Sequence, residues 1–473
     1  MRIYHVDVNA VWDDSRRVTP GSLFAALDGP ARKGEEFIPQ AVAGGASVIV
    51  LSRASEAVFS RQYPQVKFIG VEDPRMEFRQ VVESFYGKPS DKVRVIGVTG
   101  TNGKTTITYF LESILAAAGK SCGVIGTVNY RVAGKVVPST NTTPGLLDNQ
   151  IFLNGLAAGG ILYSVMEVSS HALDQGRVDL IGFKGALFTN LTGDHIDYHG
   201  TMGSYFEAKS RLFTGLSADA YAVINTDDLW GRKLVPLTRA RVLTYGIDEG
   251  ADVRATAIES GRKGARFDVK FPGGEVEIKT VFTGKHNVYN ILAAFAAGLG
   301  EGFAAGVIKE GIESLKNVPG RLERVDCGQE FDVFIDYAHT DDGLKNVLQA
   351  LREVRHKKLI VVFGCGGDRD RTKRPRMGTV ACELADFSII TSDNPRSEDP
   401  LGIIREVVPG FSKKTYEIVV EREAAIRRAL ELAGPGDIVL LAGKGHETYQ
   451  VLNDRTTDCV ERDIVGRILS ERG

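Results

Sequence analysis

The sequence predicts an α/β protein of three domains, a small N-terminal α/β domain, a central domain with a mostly parallel sheet and a C-terminal Rossmann-like domain. Three observations predict it. At 473 residues the chain exceeds what one hydrophobic core encloses, and a typical domain of about 150 residues sets the expected count at three. Apolar runs of strand length alternate with helix-period patterns along most of the chain, the mark of parallel sheets joined by helical crossovers. A glycine-rich turn at residues 97–105 joins a strongly apolar run to an amphipathic stretch.

The elements follow in order. Residues 22–27, 46–51 and 67–71 read as strands and residues 37–43 and 76–86 as helices, giving a first domain over residues 1–88. The polar segment Gly87-Lys88-Pro89-Ser90-Asp91 places a helix-stopping proline after a glycine and marks the boundary. Over residues 89–319, strands at 93–98, 161–168, 185–188 and 221–224 alternate with helical patterns. Chemistry is expected there at the strand C-terminal ends. The segment Asn317-Val318-Pro319-Gly320-Arg321 closes that series, and strands at 332–335, 359–364, 387–391 and 438–442, with a helix at 342–354, predict the third domain over residues 320–473. No internal repeat, heptad array or low-complexity segment interrupts this order.

Composition narrows the class. With 43% hydrophobic and 25% charged residues and a formal net charge of -2, the chain lacks the basic block that tracks a nucleic-acid backbone. It has no basic-then-apolar leader pattern and no run of about 18 apolar residues, so a cytoplasmic protein is expected, without membrane insertion. Five cysteines (Cys122, Cys327, Cys365, Cys382, Cys459) form an odd set without a CxxC pair. Neither a disulfide framework nor a zinc cluster follows; they read as reduced thiols.

The strongest single signal is the turn Thr99-Gly100-Thr101-Asn102-Gly103-Lys104-Thr105-Thr106, which follows the strand at 93–98 and opens the helical pattern at 107–118. Glycines let backbone N–H groups face a phosphate, the helix N-terminus adds partial positive charge, Lys104 can reach β- and γ-phosphates, and Thr105 offers a hydroxyl to Mg²⁺. Glu167 ends the apolar run at 161–168 and His195 follows the stretch 185–191, so both are expected at sheet ends near this loop. Oxygen donors suit Mg²⁺, which favours Thr105 and Glu167 as ligands; the bland alternative is a glutamate bonded to backbone amides and a histidine satisfied by a carboxylate. Lys209, in the helical stretch 204–213, reads on composition alone as a solvated surface lysine.

Further segments occur in a fixed order. They are Asn141-Thr142-Thr143-Pro144, Met166-Glu167-Val168-Ser169-Ser170-His171, Asp194-His195-Ile196-Asp197-Tyr198-His199-Gly200, Lys209, Asp336-Tyr337-Ala338-His339-Thr340, Gly366-Gly367-Asp368-Arg369-Asp370, Asp393-Asn394-Pro395-Arg396 and Gly443-Lys444-Gly445-His446-Glu447. With the phosphate loop these make the chain resemble the Mur ligase family across nearly its whole length. Within that family the resemblance is to the ligases that add meso-diaminopimelate to UDP-N-acetylmuramoyl-L-alanyl-D-glutamate, a peptidoglycan (cell-wall) precursor.

The resemblance implies an ATP-dependent amide ligase, in which the dipeptide's free carboxylate attacks the γ-phosphate and the amine of the amino acid displaces the acyl phosphate. It implies Gly100, Thr101, Asn102, Gly103, Lys104, Thr105, Thr106, Asn287, Arg321, Asp336 and His339 around ATP, and Lys104, Glu167, His195 and Lys209 as catalytic. Two Mg²⁺ are implied, held by Thr105, Glu167, His195 and a CO₂-derived carbamate on Lys209. Carbamylation needs the neutral amine, so the site must lower the lysine pKa below its reference near 10.4. Ser15, Asn141, Thr142, Thr143, Ser169, Gln175 and Arg177 are implied contacts of the UDP-N-acetylmuramoyl-dipeptide. Arg369, Asp393, Asn394, Pro395, Arg396, Gly443 and Glu447 are implied for the amino acid. The segment Ser169-Ser170-His171 lacks the GxSxG context of a hydrolase and reads as substrate positioning.

The residues themselves argue for diaminopimelate over lysine. Arg396 on a sheet-end loop can grip a carboxylate with two parallel N–H bonds, while Glu447 can hold an ammonium group. Lysine lacks the second amino-carboxylate centre, and a buried guanidinium left unpartnered costs roughly 1–3 kcal/mol, about ten- to a hundredfold in discrimination. A lysine-adding ligase, a folate polyglutamylating relative and a non-catalytic nucleotide-dependent binder are the competing readings. The chain departs from the family pattern at Gly29-Pro30-Ala31-Arg32-Lys33-Gly34, where Gly-x-x-x-Asp-Gly is usual, and at Asp341, where proline is usual.

Overall fold

A computed structural model describes residues 1–471 except 30, 31, 133, 140, 263, 355 and 454. Pro30 and Ala31 of the variant N-terminal loop therefore lie outside the described residues. The chain divides into two compact units, one of Met1–Val95, Thr143–Ser164 and His171–Phe183, the other of Ile96–Thr142, Val165–Ser170 and Lys184–Gly473.

In the first unit, Ala10–Trp12, Ser22–Ala25, Val48–Ser52 and Lys67–Val71 form a four-stranded parallel sheet in chain order. Period-two alternation explains its two cores. Leu23, Ala25, Val48 and Val50 face one cluster with Phe78 and Val82, while Phe24, Ala26, Ile49 and Leu51 face the other with Ile38 and Phe68. A strand buried on both faces has no polar side, which is why these runs read as continuous apolar stretches. The helix Pro74–Tyr86 starts where Asp73 accepts N–H bonds from Arg75 and Met76 and where Pro74 needs no intrahelical donor. Leu147 of the helix Leu146–Ala158 joins the same cluster, so chain that follows the phosphate loop in sequence completes the core of this unit.

The second unit carries two large sheets. One has eleven strands, in the order Lys135–Pro138, Asn129–Val132, Cys122–Ile125, Tyr163–Glu167, Arg94–Thr99, Phe183–Phe188, Tyr221–Asn225, Arg241–Gly246, Val253–Gly261, Gly264–Phe271 and Gly274–Thr280. The pairs from Phe183–Phe188 to Val253–Gly261 run parallel, and both edges end in antiparallel hairpins. The strands from 253 to 280 were not among those expected. Their buried residues alternate with exposed ones, because an antiparallel edge can leave one face in water, and a polar alternating run is a weaker signal than an apolar one.

The other sheet has six strands, Glu323–Val325, Asp332–Asp336, Ile438–Ala442, Leu359–Phe363, Phe387–Ile390 and Tyr416–Ile418, parallel except for the first pair. Leu359, Val361 and Phe363 pack on one side and Ile360 and Val362 on the other. The expected strands fall within about a residue or two of those observed, the ordinary uncertainty of an element's end. Among the described residues no helix is long and apolar enough to cross a membrane, and all five cysteines are free.

Candidate nucleotide and ligation site

The strand Arg94–Thr99 delivers the chain, buried from Val95 onward, into the turn that opens the helix Lys104–Ala117. Gly100 (φ +139) and Gly103 (φ +90) take backbone conformations that side chains disfavour. A side chain at Gly100 would also overlap the Thr189 hydroxyl, and one at Gly103 the Asn290 amide. The turn is pinned by the neighbouring strand's end: Thr101 N–H donates to the Asn190 carbonyl (2.9 Å) and Asn102 N–H to Asn190 Oδ1 (2.9 Å), while Thr189 Oγ1 donates to the Asn102 carbonyl (2.6 Å).

Lys104 folds over this turn, its Nζ donating to the carbonyls of Gly100 (3.0 Å) and Thr101 (2.8 Å). Burial lowers its pKa, opposed by the charges of Glu167 and Asp194. Thr105 Oγ1 donates to Glu167 Oε1 (3.0 Å) and accepts from Arg321 Nη2 (3.1 Å). Glu167 is 1% exposed and also accepts from Thr127, through its N–H (2.8 Å) and its hydroxyl (2.9 Å). Thr127 in turn shares a hydrogen bond with Thr142 (3.0 Å).

Lys209 is no surface residue. The helix Met202–Thr214, capped by Thr201, buries it to 2% exposure, lays its ammonium over the Tyr205 ring (4.7 Å) and points Nζ at the Gly100 carbonyl (2.9 Å). Burial first, then the charge of Lys104, push its pKa well below the ordinary lysine value. His195 lies near the same loop in a left-handed conformation (φ +54), half in solvent, with Nε2 3.4 Å from Asp194. Burial of Asp194 favours its neutral form, but the charges of His195, His339 and Lys104 hold its pKa below the usual value.

The six-stranded sheet contributes the rest. Asp336, at a strand end, accepts from the N–H groups of Leu322 (2.7 Å) and Ala338 (2.8 Å), and burial raises its pKa against the pull of Arg321. Those bonds shape the turn that sends Arg321 across the Tyr337 ring (4.9 Å) to Thr105. His339 Nδ1 sits 2.8 Å from the Tyr337 carbonyl. Asn287, 4% exposed, donates to the Thr283 carbonyl and accepts from Asn290, the residue against Gly103.

A second cluster lies at other strand ends of that sheet. Asn394 donates to Glu447 Oε2 (2.8 Å) and its Oδ1 accepts from Lys444 Nζ (3.0 Å) and Val451 N–H (3.0 Å). Lys444, fully buried, also donates to Glu447 Oε2 (3.0 Å). Arg396 (φ +52) is held by a backbone bond to Val451 and donates through Nη1 to the Gly367 carbonyl (2.7 Å). Arg369 is exposed and bonds its neighbour's carbonyl (3.1 Å). Gly443 (φ +115) lies against Asp393, and Pro395 continues the turn to Arg396.

The remaining candidates divide between the units. In the first, Ser15 donates to Gln40 (2.7 Å), while Arg177 donates to Gln175 Oε1 (2.9 Å) and to the Thr143 carbonyl (3.1 Å). In the second, the Asn141 carbonyl accepts from Tyr130 (2.8 Å) and Ser169 lies just past the strand Tyr163–Glu167. Reading the sequence missed Thr127, Asn190, Lys444 and Asp342. Lys444 carried a signal, standing between two glycines in a singled-out segment; the others carried none.

Family profiles match three consecutive stretches: the Mur ligase family catalytic domain over residues 8–85, the Mur ligase middle domain over 98–298 and the Mur ligase glutamate ligase domain over 320–445. The chain belongs to the Mur ligase family. It is 48% identical to the UDP-N-acetylmuramoyl-L-alanyl-D-glutamate–2,6-diaminopimelate ligase of Solibacter usitatus, over 99% of this chain and 94% of that one. It is 44% identical to the ligase of the same name from Geobacillus thermodenitrificans, over 98% and 96%. A solved structure of a ligase of that name matches with a TM-score of 0.69 at 32% identity, over 98% of this chain and 95% of that chain. The MurF ligase of Thermotoga maritima in complex with ADP shares the fold, with a TM-score of 0.67 at 19% identity, over 98% and 99%.

Proposed function

We propose that this protein is an ATP-dependent ligase that joins meso-diaminopimelate to UDP-N-acetylmuramoyl-L-alanyl-D-glutamate in cytoplasmic peptidoglycan precursor synthesis. The observation that carries the reading is the convergence of Lys104, Thr105, Glu167, Lys209 and Arg321 on one glycine-rich loop, in a chain 48% identical to a ligase of that name. In this reading residues 1–88 bind the nucleotide-sugar, 89–319 the ATP and 320–473 the amino acid.

Amide formation from a carboxylate in water is uphill, so the carboxylate is first activated. One of its oxygens bonds to the γ-phosphorus as the bond to ADP breaks; the amine then attacks the carbonyl carbon, phosphate leaves and the amine gives up a proton. Charge accumulates on phosphoryl oxygens in the first step, where Lys104, the loop N–H groups and the helix N-terminus stabilise it. Arg321 adds a second cation, and its Nε is buried without a hydrogen-bond partner among the described residues, as suits a group that reaches further toward an anion.

The donor set fits Mg²⁺. Thr105 and Glu167 offer the oxygen donors that such an ion prefers. Thr105, Glu167, His195 and Lys209 as a carbamate would hold two such ions, which when bound neutralise phosphate charge. The depressed pKa of Lys209 supports its reaction with CO₂, since the neutral amine is the nucleophile. Asn287, Asp336 and His339 complete the ATP contacts in this reading. Ser15, Asn141, Thr142, Thr143, Ser169, Gln175 and Arg177 hold the nucleotide-sugar dipeptide.

Arg396, Arg369 and the Asp393–Asn394–Pro395 turn, with Gly443 and Glu447, form the amino-acid site. Glu447 is already tied to Lys444 and Asn394, which holds its carboxylate in place for an ammonium group. The test is product mass and ADP release with ATP, Mg²⁺ and UDP-N-acetylmuramoyl-L-alanyl-D-glutamate, comparing meso-diaminopimelate with L-lysine. Ligation of diaminopimelate, lost about ten- to a hundredfold in Arg396→Ala, is expected. Efficient ligation of lysine by the unmodified protein would overturn the pocket assignment, and no ligation of either would overturn the proposed reaction.

A further inference from the structure

Segments that flank the strands of the six-stranded sheet touch the glycine-rich loop at two points on either side of Lys104. One is the bond from Arg321 to Thr105. The other is Asp342, in the first turn of the helix Asp341–Glu353, whose amino end is capped by Thr340. A single oxygen of Asp342, Oδ2, accepts from Asn102 Nδ2 of the loop (2.7 Å), from Thr192 Oγ1 (2.9 Å) and from Asn346 Nδ2 on its own helix (3.2 Å). Thr192 is itself joined to the loop, its N–H donating to Thr101 Oγ1 (3.0 Å), and it lies three positions before His195. The backbone N–H and carbonyl of Asn102 are already bonded to Asn190 and Thr189. The carboxylate of Asp342 therefore fixes the one part of Asn102 that the larger sheet leaves free to turn.

We propose that Asp342 is a positioning residue for nucleotide turnover. It holds the Asn102 side chain and the loop leading to His195 in register with the six-stranded sheet, so that the phosphate-facing N–H groups and Arg321 act on the same phosphates. The inference rests on reading residues 100–106 as the ATP loop. An anion so close to a phosphate site would ordinarily repel the ligand. Here the charge is absorbed by three donors and by the amino end of its helix, and it meets the loop through the neutral amide of Asn102. A bond of this kind acts by keeping backbone donors aimed before the substrate arrives, which matters most in the step where phosphoryl charge develops.

The experiment is a double-mutant cycle on the full chain with Asn102→Ala, Asp342→Ala and the pair together. It reads kcat/KM for ATP, ADP affinity by calorimetry and thermal midpoint. Each single change is expected to lower kcat/KM for ATP by about ten- to a hundredfold, with the pair no worse than either alone and the midpoint little changed. Asp342→Asn, whose amide oxygen can still accept, is expected to recover part of the loss and keeps the test open if Asp342→Ala folds poorly. Losses that multiply in the pair, or unchanged kcat/KM in both singles, would overturn the proposal. Absence of ADP binding to the unmodified protein would overturn the ATP-loop reading and the proposal with it.

Discussion

Two ammonium groups donate to one carbonyl oxygen, that of Gly100, from Lys104 at 3.0 Å and Lys209 at 2.9 Å. Among the described residues neither has a carboxylate bonded to it, and burial lowers the affinity of each for its proton, helped at Lys209 by the charge of Lys104 and at Lys104 by that of Arg321. Asp194 acts on both, but of the two Lys104 also has Glu167 in its field, so Lys209 is the one driven toward the neutral amine. With ¹³C-labelled bicarbonate a carbamate carbon resonance is expected in the unmodified protein and not in Lys209→Ala, together with a turnover loss of at least about a hundredfold. Full turnover without that resonance would mean that the amine itself does the work. Composition alone could not separate Lys209 from a surface lysine, because burial of an ammonium group is a property of its neighbours.

At the scale of elements, the loops proposed to hold the amino acid owe their shape to a residue outside them. Arg374, fully buried in the helix Lys373–Leu384, donates through Nη1 to Glu398 (2.9 Å) and Glu406 (2.8 Å) and through Nη2 to Glu398 (2.8 Å) and the Gly366 carbonyl (3.3 Å). Glu398 passes the restraint to Asp368 by accepting its N–H (2.6 Å), and Asp368 binds Ser397. Arg369 and Arg396 thus sit on loops tied together by one guanidinium. Arg374→Met is expected to cost about 2–4 kcal/mol in urea unfolding, since it strands two partly buried carboxylates. It should also raise KM for the amino acid well above any change in KM for ATP; equal changes would show a general loosening instead. The strands Asp332–Asp336, Leu359–Phe363, Phe387–Ile390 and Ile438–Ala442 were legible because their apolar runs are strong, whereas Arg374 sits among basic residues, whose burial no local pattern announces.

For the whole molecule, two partly buried imidazoles set a direction for acid stability. Burial lowers the pKa of His286 to about 4, and burial with the charges of Arg321 and His339 lowers that of His446 to about 3. Both pKa values are depressed relative to the unfolded chain, near 6.5, so below that pH the unfolded state binds more protons than the folded one. Stability is then complete above about pH 6.5 and falls on acidification toward pH 4 and below, by up to about 1.4 kcal/mol per pH unit for each histidine. Denaturant midpoints measured from pH 7 to 4 should show this slope, and His286→Gln should reduce it. An unchanged slope in the variant would assign the acid sensitivity to other groups.

What the sequence by itself determined were the features that depend on neighbours in the chain. The alternating apolar runs specify sheets buried on both faces, the glycines at 100 and 103 specify a turn that only they can make, and the order of polar segments specifies the family. The tertiary structure decided what depends on groups distant in the chain: that Glu167 meets Thr105 and Thr127, that Lys209 ends on the Gly100 carbonyl, that residues 143–164 complete the core of the first unit, and that Asp342 reaches Asn102 across 240 positions. Periodicity follows from the covalent repeat of the backbone and is written locally. A hydrogen bond or a shifted pKa depends on which surfaces the packed sheets bring within a few ångströms, and no stretch of sequence carries that information alone.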